Sequence, residues 1–362
     1  MKISLQLHKH KKGLLYILTY SSMLFLMQLF PLCGSSIADI TERMAECAKL
    51  DNDQARLKCF DDLTGRNTQI VSAVPSTTAG DTSSQTITRP SGMSRHWELD
   101  SLSRKIAHLI RAHRPNYILP LAYNSSPNHD SILDMDRKAI PQNAEAKFQI
   151  SFKVKLWPDI MDKDVDLWFA YTQLSFWQLY NSTFSSPFRE TDYEPELFLN
   201  FRTDYKPFGL DLFGLKGRMV NVGIDHQSNG RSVALSRSWN RIVTNLGFEK
   251  NNFNLFVKAW YRLPESARDD DNPHIEKYMG YSEVWGIYYW NKHRFGAMLR
   301  NNLRTSENKG ALQLDWSFPF PFIKNDRFSG YIQYFNGYGE SLLDYNAHSN
   351  RMSIGIMLAD WN

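Results

Sequence analysis

The sequence is poor in cysteine, nearly balanced in charge and, past its first few dozen residues, without a long apolar run. Each shortage excludes something. Three cysteines are too few for a disulfide-built scaffold or a cysteine-rich zinc module. Lys and Arg exceed Asp and Glu by only 42 to 38, a formal net charge of +4, which provides no basic field of the kind that nucleic-acid binding needs. After Leu32 no stretch of about 18 apolar residues recurs, so no later helix is read as crossing a bilayer. A mean hydropathy of −0.45 likewise excludes a helical membrane bundle. A β-barrel escapes that exclusion, because alternation hides its lipid face in the sequence. Aromatic residues, by contrast, are plentiful at 14 %, with 10 Trp, 17 Tyr and 22 Phe. Rings gathered at membrane interfaces are one cause of such richness; a large soluble core is the other.

Residues 1–38 read as a signal peptide. Lys2 and the run His8-Lys9-His10-Lys11-Lys12 form a basic head, residues 14–32 are mainly apolar, and Ser36-Ile37-Ala38 offers small residues for cleavage. An uncleaved anchor is the alternative, since the apolar run is long. Lipidation at Cys33 is disfavoured by Phe30-Pro31-Leu32, which lacks the small residues that such cleavage wants. With Cys33 removed, Cys47 and Cys59 are an even pair in an exported chain, where disulfides persist. Residues 39–61 have helical periodicity broken at Asp51-Asn52-Asp53, so the pair is expected to tie two short helices. Residues 62–92 are rich in Ser, Thr and Gly and read as a linker. Within the rest of an N-terminal extension reaching residue 145, the spacing of Leu102, Ile106, Leu109 and Ile110 predicts an amphipathic helix over Trp97–Ala112. An extended, Pro-bounded segment follows at 114–120, expected to cap a barrel or pack into its mouth.

From residue 146 the pattern changes to strict alternation. Phe148, Ile150, Phe152, Val154 and Leu156 alternate with Lys147, Gln149, Ser151, Lys153 and Lys155. Val165 to Trp177, Phe253 to Arg262, Leu312 to Phe318 and Met352 to Leu358 repeat it, separated by polar runs such as 265–274. Charged residues opposite each apolar face imply a polar interior, so the fold class is all-β, an antiparallel transmembrane barrel over 146–362. At roughly 10 residues per strand plus loops, about 10 to 14 strands fit.

Residues 223–231, Gly-Ile-Asp-His-Gln-Ser-Asn-Gly-Arg, carry the candidate chemistry, together with Ser236-Arg-Ser-Trp-Asn-Arg241. His226 and Ser228 are two apart, hence on one face of a strand, the face shared with Val220, Val222 and Ile224. An antiparallel hairpin turning near Val233 brings Asn240 back beside His226. Ser228, His226 and Asn240 then supply a nucleophile, a general base and a group that orients the base. The Gly230 N–H is a candidate oxyanion donor. The constellation faces outward, onto a surface suited to lipid.

These motifs resemble the outer membrane phospholipase A family of Gram-negative bacteria. So do Ser-Ser-Pro-Phe-Arg-Glu-Thr at 185–191, Tyr-Glu-Pro at 193–195, Asp-Asp-Asn-Pro at 270–273, Lys-Tyr-Met-Gly-Tyr at 277–281 and Tyr-Gly-Glu-Ser-Leu-Leu-Asp-Tyr-Asn at 338–346. The resemblance implies twelve strands, an outer-membrane location, and calcium-dependent hydrolysis of phospholipid acyl esters, with A1, A2 and lysophospholipase activity, by a homodimer. It implies Ca²⁺ ligands at the Arg231 carbonyl and the Ser236 carbonyl and hydroxyl of one chain and the Ser185 carbonyl of a second. Asp271 resembles a ligand of another calcium site, whose acidic partner in the family is replaced here by Val233. Gln173 matches a glutamine at the dimer seam, unless it faces the barrel interior. The outer-membrane assembly machinery is a further expected partner, although the chain closes Trp361-Asn362 where such barrels commonly end on an aromatic residue. A non-enzymatic pore or structural barrel is the competing reading. A protease barrel is disfavoured, because it would need paired acids at the mouth.

Overall fold

The computed structural model describes residues 44–64, 90–105, 109–129, 142–182, 187–203, 213–232, 235–320 and 328–359. The expected signal peptide, most of the linker, Ser185, Val233 and the terminal Trp361-Asn362 lie outside them.

The chain divides into two units, Met1–Gln85 and Thr86–Asn362. In the first, residues 44–48 are helical and α1 spans Asp53–Thr64. The Asn52 side chain accepts from the Gln54 and Ala55 N–H groups at 2.9 and 3.1 Å, an N-cap that starts α1 where the turn was expected. Cys47 and Cys59 form a disulfide across the two helical pieces.

The second unit is an antiparallel barrel. Its strands are β1 (Arg111–Ala112), β2 (Asn116–Asn124), β3 (Ala144–Trp157), β4 (Val165–Trp177), β5 (Phe188–Arg202), β6 (Lys216–Ser228), β7 (Ser238–Lys250), β8 (Phe253–Arg262), β9 (Ser282–Trp290), β10 (His293–Asn301), β11 (Gly310–Pro319), β12 (Ser329–Tyr338) and β13 (His348–Ala359). Each strand from β2 to β13 pairs with its sequence neighbours, and β13 pairs back onto β2, closing twelve strands. The short β1 adds to β3 beyond the end of β2. Two-residue turns at 251–252 and 291–292 each begin on an Asn with φ of 53°, a left-handed geometry that Asn tolerates and tight hairpins require. The nineteen-residue connection between β8 and β9, 263–281, lies at the opposite end. Among the described residues no helix is long and apolar enough to cross a membrane.

Alternation sorts the side chains as the sequence implies. Ile150, Leu156, Val222, Ile224, Ile242, Leu299, Leu314, Met352 and Ile354 are exposed on the outer wall. Lys147, Lys153, Glu194, Glu196, Asp225, Arg241, Arg294 and Asp315 are buried on the inner one. Most inner charges are paired: Arg241 with Asp225 and Glu194, Lys258 with Glu196 and Asp225, Arg351 with Glu145 and Glu340, while the Lys153 ammonium stands over the Trp97 ring. Burying a charge beside its opposite is the arrangement that keeps desolvation from being ruinous.

Two expectations need correction. The barrel does not begin at 146, because the segment read as a cap supplies β2. Pro120 disguised it: proline cannot donate to a ladder, so a run containing it reads poorly as a strand. The barrel accommodates it with register shifts, between Leu119 and Ala122 against β3 and between Ile354 and Ile356 against β2. Nor does one helix span Trp97–Ala112. Two short helices form instead, α2 (Gly92–Trp97) and α3 (Ser101–Lys105). Glu98 takes a left-handed conformation, φ 52°, and ends α2. Its carboxylate pairs with Arg111 and Lys155, fastening α2 to β1 and β3. Met93 and Trp97 of α2 pack against Trp168, Phe198, Met219, Phe256 and Ile287 inside the short-turn end of the barrel.

At the other end the loop after β12 folds inward. Its Leu342 and Leu343 N–H groups donate to Asp192 and Glu190 of β5 at 3.1 and 3.0 Å. Glu340 in this loop is buried, which alone would raise its carboxyl. The Arg351 guanidinium and the Lys147 ammonium outweigh burial and bring it down to about 2. Segments of the chain thus fold into both ends of the barrel, which holds an interior cavity of about 240 Å³.

Candidate active site

Strand β6 sends odd residues inward and even residues outward. Asn221 and Asp225 are buried, whereas Val222, Ile224 and His226 are exposed. The β6–β7 register places His226 opposite Asn240 and Ser228 opposite Ser238. His226 Nδ1 lies 2.8 Å from Asn240 Oδ1. Ser228 follows His226 on the same outward face, half-buried, at the last position of β6. The Gly230 N–H donates to Ser228 Oγ at 3.1 Å. Gly230 has φ +64°, and a Cβ there would stand 3.3 Å from the Tyr193 ring. A glycine therefore suits both the backbone and the space.

A residue that no chemical argument singled out shapes the loop between the two strands. Asn229 is buried, and its Oδ1 accepts from the Arg231 and Arg237 N–H groups at 3.3 and 3.0 Å. Its Nδ2 donates to the Leu235 carbonyl at 2.8 Å. One side chain thus holds both arms of the loop that presents Gly230, Arg231 and Ser236. Its only sequence signal is its place inside the quoted motif.

The expected metal ligands are partly assembled. Ser236 Oγ donates to Asp271 Oδ2 at 2.5 Å, which brings residues from two loops together. Arg237 Nη1 donates to the Ser236 carbonyl at 2.6 Å, so a cationic group already stands at that oxygen. The Arg231 guanidinium reaches back to the Phe188 and Arg189 carbonyls. Hydroxyl, carboxylate and carbonyl oxygens are the hard donors that calcium takes, and Ser236 and Asp271 fit the ion in kind; the Ser236 carbonyl would exchange its Arg237 contact for it. Elsewhere, Glu194, Glu196 and Asp225 gather within 4.8 Å inside the barrel. Arg114, Arg241 and Lys258 already pair with them, so that cluster is a salt-bridge network.

Gln173 faces outward. It pairs in register with Tyr193, which pairs with Ser228, so the three form one row across β4, β5 and β6. Its amide is met by its own strand face, accepting from the Tyr171 hydroxyl at 3.4 Å and donating to Ser175 Oγ at 3.2 Å. The interior alternative for Gln173 is excluded by this alternation.

Comparison with known proteins gives a consistent result. The family described as Phospholipase A1 matches residues 93–358. The phospholipase A1 of Escherichia coli K12 is 41% identical over 245 residues, covering 68% of this chain and 80% of the relative. That of Salmonella typhimurium LT2 is 39% identical over 263 residues, 70% of this chain and 86% of the relative. Outer membrane phospholipase A from E. coli superposes with a TM-score of 0.64 at 37% identity, over 75% of this chain and 99% of that one. The outer membrane phospholipase dimer of Salmonella typhi with bound calcium gives 0.62 at 38% identity, over 70% and 93%.

Proposed function

This chain belongs to the phospholipase A1 family of the Gram-negative outer membrane, and on that premise we propose that it hydrolyses phospholipid acyl esters, including the A2 and lysophospholipid esters, with Ser228 as nucleophile. The observation that carries this reading is the 2.8 Å contact between His226 and Asn240 on an otherwise apolar outer face. Asn240 holds the imidazole so that its other nitrogen serves Ser228. His226 takes the Ser228 proton as Oγ attacks the ester carbonyl carbon. The Gly230 N–H, already 3.1 Å from Oγ, is within reach of the oxyanion that forms there. His226 returns the proton to the leaving lysophospholipid oxygen, and a water activated by His226 then cleaves the acyl-serine. The site faces lipid directly, so the substrate need not leave its own bilayer.

Calcium would be held by Arg231, Ser236 and the Ser185 carbonyl of a second chain, supplying positive charge toward the developing oxyanion. Asp271, hydrogen-bonded to Ser236, would be a ligand of the other calcium site, the one used away from the dimer. A calcium-bound dimer of a relative and the Gln173–Tyr193–Ser228 row support an active dimer whose seam passes two strands from the nucleophile. The salt-bridged interior and the loop folded into it disfavour the pore alternative.

The test uses purified protein in mixed micelles. Calcium-dependent fatty acid release is expected, and a sulfonyl fluoride should label Ser228 alone. Chelation should abolish activity and cross-linkable dimer together while heat-modifiable gel mobility persists. Labelling at Ser232, Ser236 or Ser238, or full activity from a chelated monomer, would refute the scheme.

A further inference from the structure

We infer that Glu265 is a positioning residue of the same site, a charged fourth member that fixes the Asn240 amide and through it the protonation of His226; the inference rests on the proposed triad. Glu265 lies in the loop after β8. The Leu263 N–H donates to the Asn240 carbonyl at 2.8 Å, continuing the β7–β8 ladder one step beyond the Arg241–Arg262 pair. Two residues later, Glu265 Oε1 accepts from Asn240 Nδ2 at 3.1 Å. The carboxylate is largely covered, 19% exposed, and its second oxygen faces Arg262 Nη2 at 3.5 Å. Arg262 is itself held by Asp270 and the Asn272 carbonyl, so the acid is pinned from behind.

The chemical consequence follows from what each group can do. An amide has an acceptor end and a donor end, and little but its surroundings decides which way it points. An ionised carboxylate only accepts, so Glu265 claims the NH₂ end. The Oδ1 end is thereby committed to His226. An acceptor at Nδ1 requires the imidazole proton to sit there, which leaves Nε2 unprotonated and able to take the Ser228 proton. With the amide flipped, its NH₂ would face His226 and its oxygen would face the carboxylate, a repulsive pair. Glu265 also restores, one bond further out, a negative charge that Asn240 lacks, favouring the imidazolium formed during attack.

The experiment is a double-mutant cycle on the full-length protein in calcium-containing mixed micelles. Glu265→Ala is expected to lower kcat about tenfold with KM unchanged. Glu265→Gln, which keeps an acceptor but not the charge, should lower it about threefold. In an Asn240→Ala background, Glu265→Ala should change kcat less than twofold, because Glu265 acts only through that amide. Heat-modifiable mobility reports whether each variant folds, and Glu265→Gln carries the test if the alanine variant does not. A loss that is as large in the Asn240→Ala background, a rise in KM in place of a fall in kcat, or full activity in Glu265→Ala overturns the inference. Ser228→Ala and His226→Ala run alongside: inactive controls with a fully active Glu265→Ala defeat Glu265 alone, whereas active controls defeat the triad and Glu265 together.

Discussion

Asp225 and His226 are neighbours on β6 and occupy opposite worlds. Asp225 points inward, fully buried, with Arg241 at 2.9 Å and Lys258 at 3.1 Å. His226 points outward, exposed among Val222 and Ile224, with one neutral hydrogen-bond partner. The inner wall tolerates ions because most meet an opposite charge there. The outer wall faces hydrocarbon, where an unpaired carboxylate would be costly. That contrast gives a physical reason for an asparagine beside the histidine. On the proposed triad, a neutral orienter is admissible on a lipid face, and a negative charge enters at the rim, on Glu265 beside Arg262.

The sharpest way to break the comparison is to substitute on the two faces in turn. Ser228→Ala or His226→Ala should lower fatty acid release by about three orders of magnitude or more, with the urea unfolding midpoint unmoved. Arg241→Met should do the reverse in kind. It leaves Asp225 and Glu194 short of a buried cation and should cost about 3–5 kcal/mol of stability, read as a lowered unfolding midpoint. Adding Asp225→Leu to Arg241→Met should recover part of that loss; a further drop would contradict the paired-wall account.

A smaller effect concerns acid. The Glu340 carboxyl lies below its ordinary value, at about 2. A depressed carboxyl contributes stability that is fully present above its unfolded value, about 4.3 for glutamate, and that is lost as pH falls through the folded value. Glu340→Gln should therefore narrow the stability gap between pH 6 and pH 2.5, measured by thermal unfolding in detergent. A gap as wide as in the unaltered protein would mean that Arg351 and Lys147 do not hold this group. The smallest effect is expected from the first unit. Cys47 and Cys59 should resist alkylation until reduced, and replacing both with serine should leave lipase activity within about twofold.

Much of this molecule was legible in its residues. Alternation identified the barrel because a wall between lipid and a polar interior permits no other pattern, as Lys147 to Leu156 shows. The His226–Ser228 spacing, with Asn240 as far after Val233 in sequence as His226 is before it, implied the pairing that the β6–β7 register shows. Other features depended on contacts between segments distant in sequence. β2 was masked by Pro120, which only a register shift against β3 and β13 makes acceptable. The face taken by Gln173 was ambiguous until β3 and β5 lined up beside it. Trp97 became an interior plug because Glu98 turned the chain and Arg111 and Lys155 held it. Glu265 lay in the polar run 265–274, which reads only as a loop, and became relevant through a 3.1 Å contact with Asn240. Local pattern dictates which face a side chain takes along a strand, since that is a matter of period two. Which partner it meets there depends on how twelve strands close and where their loops fold back, and that is settled by packing between parts of the chain that no local pattern connects.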